Sequence, residues 1–285
     1  MTRILVTGST GLIGSEVVRV ATALGHHVVG LSRSEPVPTD LTDPSAVGAR
    51  VADVAPDLIV HAGAWADVDG CELDPARARA VNVEGTRSVV AAADAVGAHV
   101  VHLSTDLVFD GTKAGPYTEA DEPHPISVYG ATKLAAEHEV GSAHTIVRTS
   151  WVCGEPGADM VHTVLALARS EEPLRFVTDQ VGRPTFTVDL VPALLDLGTD
   201  RAGGTWHVTN QGALSWFDLA REVLTAAGLH PDRVEPVSTA ELRPPRPARR
   251  PANSMLDDAA LRHAGRPRLP HFRPSLQRLV DQLTR

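Results

Sequence analysis

The sequence predicts an α/β protein in which a doubly wound parallel sheet is covered by helices on both faces. Short, wholly apolar runs recur through the first half of the chain, and stretches with apolar residues at helical spacing separate them. A glycine-rich turn joins the first apolar run to the first helical stretch. Strands that are apolar throughout belong to parallel sheets, which need helical crossovers. The 285 residues suffice for such a sheet and a smaller C-terminal lobe.

The predicted elements alternate in order along the first half of the chain. Strands are expected at residues 4–6, 27–31, 58–60, 100–103 and 145–148. Helices are expected at residues 12–24, 43–55 and 76–96, and around residues 129–133. This order predicts a single sheet built from strand–helix units.

The rhythm loosens after Trp151, which predicts a more irregular second lobe. Helices are expected there at residues 160–170, 188–197, 215–227 and 274–283, with a strand at residues 205–208. A segment rich in Pro and Arg, residues 243–251, is interpreted as a surface loop, a basic arm or an anion-contacting segment.

The composition argues against several classes of function. A net charge of −9 disfavours a protein that neutralises nucleic-acid phosphates or an anionic membrane surface. Cys71 and Cys153 lie far apart without CxxC spacing, and the 13 histidines form no ligand pattern, so we expect no disulfide framework and no metal site. The sequence shows neither a bilayer-spanning apolar run nor a signal peptide. We therefore expect a cytoplasmic protein without nucleic-acid or membrane partners.

The glycine-rich turn predicts a dinucleotide site. Gly8, Gly11 and Gly14 lie between the first strand and the first helix, where glycine lets the backbone approach a pyrophosphate at the helix N-terminus. The GxxGxxG spacing resembles that of the short-chain dehydrogenase/reductase superfamily, and its strand–turn–helix context is that of a Rossmann-type fold. Leu12 and Ile13, between the last two glycines, are expected to contact the cofactor as well.

The end of the second predicted strand indicates which dinucleotide binds. Ser32 and Arg33 stand where an NAD-preferring site would place a carboxylate on the ribose hydroxyls, and Glu35 comes only later. A guanidinium beside a hydroxyl suits a 2′-phosphate better than a diol. We therefore predict NADPH as the preferred cofactor, with NADH as the alternative.

One tyrosine–lysine pair predicts the reaction. The chain has two Tyr and two Lys, and Tyr129 and Lys133 stand four residues apart in a helical stretch, so they share a face. A nearby cation lowers the pKa of a phenol and enables proton transfer near neutral pH. Ser104 and Thr105 end the fourth strand and can place a hydroxyl on the same carbonyl oxygen. The second Tyr/Lys pair lies in a loop rich in Gly and Pro.

Further motifs carry a resemblance to a known family. In chain order they are Ala62-Gly63-Ala64 followed by Val68-Asp69-x-x-Glu72, Asn82-Val-Glu-Gly-Thr86, Ser104-Thr105-Asp106 with Val108-Phe109-Asp110-Gly111, Tyr129-Gly-x-Thr-Lys133, Arg148-Thr149-Ser150-Trp151, Asp179-Gln180-x-Gly182-x-Pro184-Thr185 and Arg250-Pro251-x-Asn253-Ser254-x-Leu256. By these motifs the chain resembles, nearly from end to end, the dTDP-4-dehydrorhamnose reductase family of extended short-chain dehydrogenases.

The resemblance implies NADPH-dependent reduction of the C4 ketone of a dTDP-linked 4-keto-6-deoxyhexose. It implies that Tyr129 protonates the forming alkoxide, that Thr105 hydrogen-bonds the same oxygen, and that Lys133 tunes Tyr129 and holds the nicotinamide ribose. It also implies Asn82 as a residue that fixes backbone geometry. The remaining site residues that it implies are Asp40 and Leu41 near the adenine, Ala62, Gly63 and Ala64 along the cofactor, and Val68, Ser104, Asp106 and Trp151 at the sugar.

The domain organisation follows from these assignments. We predict an NAD(P)-binding Rossmann domain over residues 1–150, to which residues 185–210 return, and a substrate-binding lobe formed by residues 151–184 and 211–285. A homodimer and Mg²⁺ at an oligomer contact are left open, since no motif supports either one.

Some positions depart from the family pattern. The family usually has Tyr where Leu107 and Cys153 stand, and its glycine loop usually reads Gly-Gln-Leu-Gly rather than Gly-Leu-Ile-Gly. These departures concern the exact sugar more than the reaction type. We expect Cys153 to be an ordinary small apolar residue rather than a reactive thiol.

Three alternative functions compete with a reductase. A 4,6-dehydratase is disfavoured because Leu107 stands where that enzyme needs an acid. An epimerase of the same superfamily uses the same Ser/Thr, Tyr and Lys, so it stays open. A non-catalytic NADP-binding regulatory subunit also stays open, although the intact set of Thr105, Tyr129 and Lys133 argues against lost catalysis.

Overall fold

The structure of the protein is a computed structural model, which describes residues 1–34, 38–170 and 172–285. It contains twelve strands in these residues. In chain order they are Arg3–Thr7 (β1), His27–Leu31 (β2), Leu58–His61 (β3), His99–Thr105 (β4), Thr145–Thr149 (β5), Val152–Cys153 (β6), Leu174–Val177 (β7), Val181–Gly182 (β8), Thr185–Phe186 (β9), Gly204–His207 (β10), Leu214–Ser215 (β11) and Val234–Val237 (β12). The longest of them are the apolar runs that the sequence analysis assigned as strands.

A six-stranded parallel sheet organises the part of the chain that the structure describes. Its strand order is β10-β5-β4-β3-β1-β2, with β1 and β4 on either side of β3. The remaining strands form two-stranded pairs, which are β6 with β9, β7 with β12 and β8 with β11. This parallel sheet confirms the predicted fold class.

Helices connect the strands and cover the sheet. They are Leu12–Ala23 (α1), Pro44–Val54 (α2), Val68–Leu73 (α3), Pro75–Arg79 (α4), Gly85–Val96 (α5), Val128–Val140 (α6), Met160–Leu167 (α7), Thr187–Thr199 (α8), Trp216–Ala226 (α9), Ala259–His263 (α10) and Phe272–Leu283 (α11). The α2 helix begins as the sequence indicates, because the side chain of Asp43 accepts hydrogen bonds from the free N–H groups of Ser45 and Ala46.

Alternating residues of the strands build a separate core on each face of the sheet. On one face, Ile4 and Val6 of β1 pack in a cluster with Leu190 and Leu194 of α8. On the other face, Leu5 packs in a cluster formed with α2 and α5. Because both faces are buried, the strands contain apolar residues at nearly every position.

A further hydrophobic cluster lies away from the sheet. It joins Val161 of α7, Leu219 of α9, Leu276 of α11 and Phe176 of β7. These helices agree with the sequence pattern, whereas the short strands β6 to β9, β11 and β12, of two to four residues each, have too few residues for a detectable periodicity. The assignment of residues 151–184 and 211–285 to a separate lobe stays a prediction.

Two predicted helices differ from the observed ones. The helix expected over residues 76–96 is interrupted by a π-helical turn at Ala80–Glu84, between α4 and α5. The helix expected over residues 160–170 ends at Leu167. Among the described helices, none is both long and apolar enough to cross a lipid bilayer.

Candidate active site

A cavity of about 770 Å³ opens where the strands of the parallel sheet end. Its walls come from the segments after β1, β3, β4 and β5, from the first turns of α1 and α6, and from segments beyond residue 150. Ligands of doubly wound sheets bind at this edge. Most predicted site residues line the cavity: Gly8, Gly11, Leu12, Ile13, Gly14, Ala62, Ala64, Val68, Ser104, Thr105, Asp106, Tyr129, Lys133 and Trp151.

The glycine loop has the geometry that a diphosphate requires. Gly8 has a φ of +67°, and a Cβ there would lie 2.8 Å from the backbone of Gly63. A Cβ on Gly14 would overlap the carbonyl oxygen of Gly8. Gly11, at the N-cap of α1, makes no side-chain capping bond, so the first N–H groups of this helix can meet an anion in the cavity. The loop therefore fits the phosphates of a dinucleotide.

The predicted adenine-side residues lie beside this cavity rather than on its described walls. Ser32 and Arg33 follow β2, and Arg33 is exposed, with its charge close enough to Asp40 to help lower the pKa of that carboxyl. The main cause of that lowered pKa is the hydrogen bond from the backbone N–H of Thr42. Leu41 packs against Gly63, which contacts the glycine loop. Glu35 lies outside the described residues.

Tyr129 and Thr105 meet at the wall of the cavity. Ser127 caps α6 by accepting the backbone N–H of Gly130, so Tyr129 lies in the first turn of the helix. Burial raises the pKa of the Tyr129 phenol above its ordinary value, with further contributions from the carboxylate of Asp106 and from Cys71, against a hydrogen bond with Thr105. The expected lowering of this pKa by Lys133 is therefore not observed, because burial outweighs it. The phenol is protonated at neutral pH and can act as a proton donor.

Asp106 is a buried carboxyl beside the same pair. Its Oδ1 accepts a hydrogen bond of 3.0 Å from the hydroxyl of Thr105, and its Oδ2 is buried without a hydrogen-bond partner in the described part of the chain. Burial raises the pKa of Asp106 to about 6, although hydroxyl groups of Ser254 and Thr105 oppose the shift. An unsatisfied oxygen on a cavity wall is suited to accept a hydroxyl from a polar ligand.

Lys133 lies one helical turn after Tyr129 and is 2% exposed. Its Nζ donates to Nε2 of His102 at 3.1 Å. Burial lowers the pKa of Lys133 to about 8, although the carboxylate of Glu137 favours the charged form. The ammonium thus remains largely charged near neutral pH and lies on the same face of α6 as Tyr129.

A buried ion pair supports the end of β4. Glu137 of α6 accepts from Nε and Nη2 of Arg148 at 2.9 and 2.7 Å, and from the hydroxyl of Ser104 at 2.5 Å. Both charged side chains are about one-twentieth exposed. The Ser104 hydroxyl donates to this carboxylate, so its proton points toward the ion pair. Thr105 is the hydroxyl residue that lies beside Tyr129.

The loop after β3 is held in place by Asn82. Oδ1 of Asn82 accepts the backbone N–H of Trp65 at 2.8 Å, and Nδ2 donates to the carbonyl oxygen of Trp65 and to Thr132 of α6. These contacts fix the segment that carries Ala62 and Ala64 against the helix of Tyr129. Asn82 therefore bonds the backbone of this loop and is not on the described walls of the cavity.

Aromatic stacking and basic side chains form the far wall. The rings of Trp151 and Trp216 stack with centroids 3.5 Å apart, and Trp151 has a φ of +47°. Arg250 makes an ion pair with Asp69 at 3.0 Å, which attaches the Pro- and Arg-rich segment to α3. The wall residues that sequence reasoning did not assign to the site include Ala66, Met160, Arg175, Phe176, Gln180, Trp216, Arg246, Arg250 and Ser254.

Some of these residues carried a signal in the sequence. Gln180, Arg250 and Ser254 belong to motifs that the resemblance rests on, so their presence in motifs could have suggested a role. Trp216 and Arg246 belong to no such motif, and they reach the cavity only through the packing of α9 and of the segment around residue 246.

The two departures from the family pattern have different positions. Leu107 lines the cavity, whereas Cys153 is 1% exposed in the cluster around α7 and α9. Burial raises the pKa of the Cys153 thiol well above its ordinary value, which makes it an unreactive apolar side chain. In the described residues, no group of His, Cys, Asp and Glu side chains is placed to hold a metal ion.

Comparison with known proteins extends these observations. The family model described as "RmlD substrate binding domain" matches residues 1–285. The dTDP-4-dehydrorhamnose reductase of Streptomyces griseus is 40% identical, with 96% of this chain and 91% of the relative covered. The enzyme of the same name from Burkholderia thailandensis is 39% identical, with 99% of each chain covered. The dTDP-4-dehydrorhamnose reductase of Bacillus anthracis, solved in complex with NADP, has a TM-score of 0.92 and is 32% identical, with 99% of each chain covered.

The family match spans every segment that forms the cavity, from the glycine loop to the Arg-rich segment. The Rossmann-type sheet, the Thr105, Tyr129 and Lys133 cluster and these full-length similarities agree with one another. The chain belongs to the dTDP-4-dehydrorhamnose reductase family.

Proposed function

We propose that the protein reduces the C4 ketone of a dTDP-linked 4-keto-6-deoxyhexose with NADPH, as a dTDP-4-dehydrorhamnose reductase does. The observation that carries this proposal is the position of Tyr129, Thr105 and Lys133 on one wall of the cavity that the glycine loop also lines. A proton donor, a hydroxyl and a buried cation beside a dinucleotide loop suit the reduction of a carbonyl group.

The proposed mechanism assigns one role to each of the three side chains. Bound NADPH supplies the hydride to C4 of the sugar. Tyr129 donates its phenolic proton to the C4 oxygen as negative charge develops there. Thr105 rotates the hydroxyl that donates to Asp106 in this structure, so that it donates to the same oxygen instead. Lys133 holds a positive charge near Tyr129, which stabilises the tyrosinate left after proton transfer, and it binds the nicotinamide ribose.

The cofactor-binding residues are proposed from the loop geometry and the resemblance together. Gly8, Gly11 and Gly14, with Leu12 and Ile13, would hold the diphosphate at the N-terminus of α1. The others would be Ser32 and Arg33 at the 2′-phosphate, Asp40 and Leu41 near the adenine, and Ala62, Gly63 and Ala64 along the cofactor. Changing Arg33 to Asp should then weaken NADPH binding far more than NADH binding, and equal losses in a binding titration would contradict the assignment.

The substrate would occupy the wall opposite the glycine loop. We place Val68, Ser104, Asp106 and Trp151 at the sugar nucleotide, as the resemblance implies. Three further cavity residues, Arg175, Arg246 and Arg250, bring guanidinium groups that suit the diphosphate of a nucleotide sugar. Arg246 and Arg250 belong to the Pro- and Arg-rich segment, which would thereby have the anion-contacting role.

The same proposal covers domains and assembly. Residues 1–150 with 185–210 would form the NAD(P)-binding domain, and residues 151–184 and 211–285 the substrate-binding lobe. We propose a cytoplasmic enzyme whose main partner is its nucleotide-sugar substrate. Sedimentation with and without a chelator tests for a homodimer and for Mg²⁺ at its contact.

The experiment that tests the function measures NADPH oxidation by the purified protein with dTDP-4-keto-6-deoxy-L-lyxo-hexose made in situ. NMR of the product identifies the C4 configuration. Formation of dTDP-rhamnose supports the proposal, and a product epimeric at C4 moves the protein to another deoxysugar route with the same chemistry.

Two outcomes contradict the proposed function. Sugar epimerisation without net NADPH consumption, with the cofactor retained through gel filtration, identifies an epimerase. NADPH binding without turnover on any 4-keto sugar nucleotide identifies a non-catalytic subunit.

A further inference from the structure

Two buried histidines, His102 and His61, lie beside Lys133 and have no role in the proposed mechanism. His102 of β4 has no exposed surface and lies opposite His61 of β3 in the parallel register. The rings of these two histidines have centroids 5.2 Å apart. Nε2 of His102 lies 3.1 Å from Nζ of Lys133. Lys133 thus connects the cavity wall to the two buried histidines.

We propose that His102 is a positioning residue for Lys133, because its Nε2 accepts an N–H of the ammonium and keeps that group charged and aimed at the cavity. The role rests on the proposed function of Lys133 in carbonyl reduction. His102 itself is not on the described walls of the cavity, so it acts through Lys133.

The hydrogen-bond pattern determines the tautomer of His102. An ammonium group can only donate, so Nε2 must present its lone pair and the ring proton must lie on Nδ1. In the described residues, Nδ1 is buried and has no hydrogen-bond partner. A buried N–H without an acceptor lowers the stability of the fold. The tautomer that accepts from Lys133 therefore carries this cost at Nδ1, and such unpaired groups need an explanation in function.

The neighbouring His61 holds the layer below in a fixed arrangement. The hydroxyl of Thr86 donates to the carbonyl oxygen of Asn82, so it must accept from Nε2 of His61 at 3.0 Å. Nδ1 of His61 is then the acceptor of a 2.6 Å hydrogen bond from Thr7, whose hydroxyl oxygen also accepts the N–H of Gly63. Both ring nitrogens of His61 are engaged, so this ring cannot rotate to serve His102.

Within the described residues, the titratable groups around Lys133 other than His102 come from α6, β5 and β3. From α6, Glu137 lies one turn later and is paired with Arg148 of β5, and Tyr129 lies one turn earlier. From β3, His61 faces Lys133 across the sheet surface, and burial together with the Lys133 charge lowers its pKa to about 3. Both histidines are therefore neutral near pH 7.

The relative strengths of two hydrogen bonds determine whether His102 raises or lowers the pKa of Lys133. Burial lowers the pKa of Lys133, whereas an acceptor on the ammonium favours the charged form. The imidazole could also donate to a neutral amine, but a charge-assisted bond is roughly twice as strong as a neutral one. His102 therefore raises the pKa of Lys133, and its removal should lower that pKa further.

The chain allows a direct measurement, because Lys113 and Lys133 are its only lysines. We would label the lysine side chains with ¹³C at Cε, follow both signals by NMR through a pH titration of the full-length protein without cofactor, and assign them with Lys113→Arg. Lys113 forms a partly buried ion pair with Asp121, outside the cavity, and is the internal reference.

Two variants of His102 separate the hydrogen bond from simple packing. His102→Leu removes the acceptor, and we expect the pKa of Lys133 to fall by roughly 1 unit or more, as the strength of a hydrogen bond to a charged group implies. His102→Gln retains an acceptor oxygen and should restore most of the wild-type value. His99→Leu changes another buried histidine of the same strand, which bonds Thr145, and should leave the Lys133 titration unchanged.

The outcomes distinguish the inference from the proposed function. An equal fall in the pKa of Lys133 in the Leu and Gln variants, or no fall in either, overturns the role of His102. If turnover is absent in the wild-type protein while the Lys133 shift follows the prediction, the proposed reduction fails and the positioning role stands. In an active enzyme, the alkaline limb of the kcat profile should move to lower pH with His102→Leu alone.

Discussion

Two tyrosine–lysine pairs occur in this protein, Lys113 with Tyr117 and Tyr129 with Lys133, and both pairs are separated by four residues. The first pair lies between β4 and α6, in a segment without helix, and the second lies on α6 itself. The same two functional groups at the same spacing therefore occur in two very different environments.

The polar groups of Lys113 and Tyr117 have hydrogen-bond partners within the protein. The phenol of Tyr117 donates to Asp110 at 2.7 Å and accepts the backbone N–H of Lys113, and its ring stacks on Phe109. Nζ of Lys113 donates to Asp121 at 2.6 Å, and this contact is the largest cause that lowers the pKa of Asp121 to about 2. The polar group of each side chain thus has a protein partner that holds the loop, and neither residue is on the described walls of the cavity.

The second pair faces a cavity and lacks a full set of protein partners. Lys133 reaches the neutral ring of His102, and Tyr129 has Thr105 and the protonatable Asp106 beside it. Burial raises the pKa of Asp106, opposite in direction to the shift of Asp121. The same four-residue spacing therefore does not by itself identify an active site. Tyr129 and Lys133 differ from the first pair in lying on a helix, in the burial of the lysine and in facing a cavity with incompletely bonded polar groups.

The largest expected contrast between the pairs is in catalysis. Tyr129→Phe removes the proposed proton donor and should lower kcat by about 10³-fold while NADPH affinity changes little. Steady-state kinetics and a cofactor titration measure the two quantities. Tyr117→Phe is the matched control and should keep kcat within twofold of wild type. Comparable losses in both variants would contradict the contrast.

The two carboxyl environments should differ in their effect on stability with pH. Because burial raises the folded-state pKa of Asp106 to about 6 from an unfolded value near 4, the group contributes stability below pH 4 that is lost as pH rises through 6. The loss should be about 3 kcal/mol between pH 4 and pH 7 in the absence of ligands. Asp106→Asn should remove this part of the pH dependence, as measured by denaturant unfolding.

A suitable control for this prediction is Asp121→Asn at the other pair. The lowered pKa of Asp121 means that its carboxylate stabilises the fold above pH 4 and that this contribution is lost on acidification. The two Asn variants should therefore change the pH dependence of stability in opposite directions. Changes of the same sign would show that the two environments are not distinguished as described.

The next effect concerns the hydroxyl that Tyr129 meets. Thr105→Val removes a donor to the developing oxyanion and should lower kcat by about 10²-fold. Thr105→Ser retains the hydroxyl and the cap that Thr105 provides to the backbone N–H of Leu107, so it should keep most of the activity. An equal loss in the two variants would instead indicate a packing role for the threonine methyl group.

The smallest effect expected is structural. Tyr117→Phe removes the hydrogen bond to Asp110 and should lower the free energy of unfolding by about 1 kcal/mol. Denaturant unfolding at neutral pH measures this loss. A Tyr117→Phe protein as stable as wild type would show that the phenol is not needed to hold the loop.

The parallel sheet, the glycine loop and the α6 pair could be predicted from sequence because each depends on neighbours within a few residues. Gly8, Gly11 and Gly14 follow β1 directly, and Tyr129 and Lys133 need only a helix between them. The strand order and the cavity itself required tertiary pairing, since parallel neighbours such as β3 and β4 are joined by long crossovers.

The opposite wall was only partly predictable. Trp216 reaches Trp151 because α9 packs on the cluster around α7, and Arg246 reaches the cavity along a segment without regular structure. Two-residue strands such as β8 and β11 have no sequence periodicity, and their pairing depends on segments distant in the chain. No local turn signal in the sequence marks the positive φ of Trp151.

The most direct test of the account traces the hydride in a single turnover. The wild-type protein, Tyr117→Phe and Tyr129→Phe would each be mixed with dTDP-4-keto-6-deoxy-L-lyxo-hexose and NADPH deuterated at nicotinamide C4, in both stereochemical forms. We predict deuterium at C4 of the sugar product with wild type and Tyr117→Phe, from one form only, and almost none in the same time with Tyr129→Phe. Deuterium transfer at the wild-type rate by Tyr129→Phe, or no transfer by the wild-type protein, would contradict the central claim.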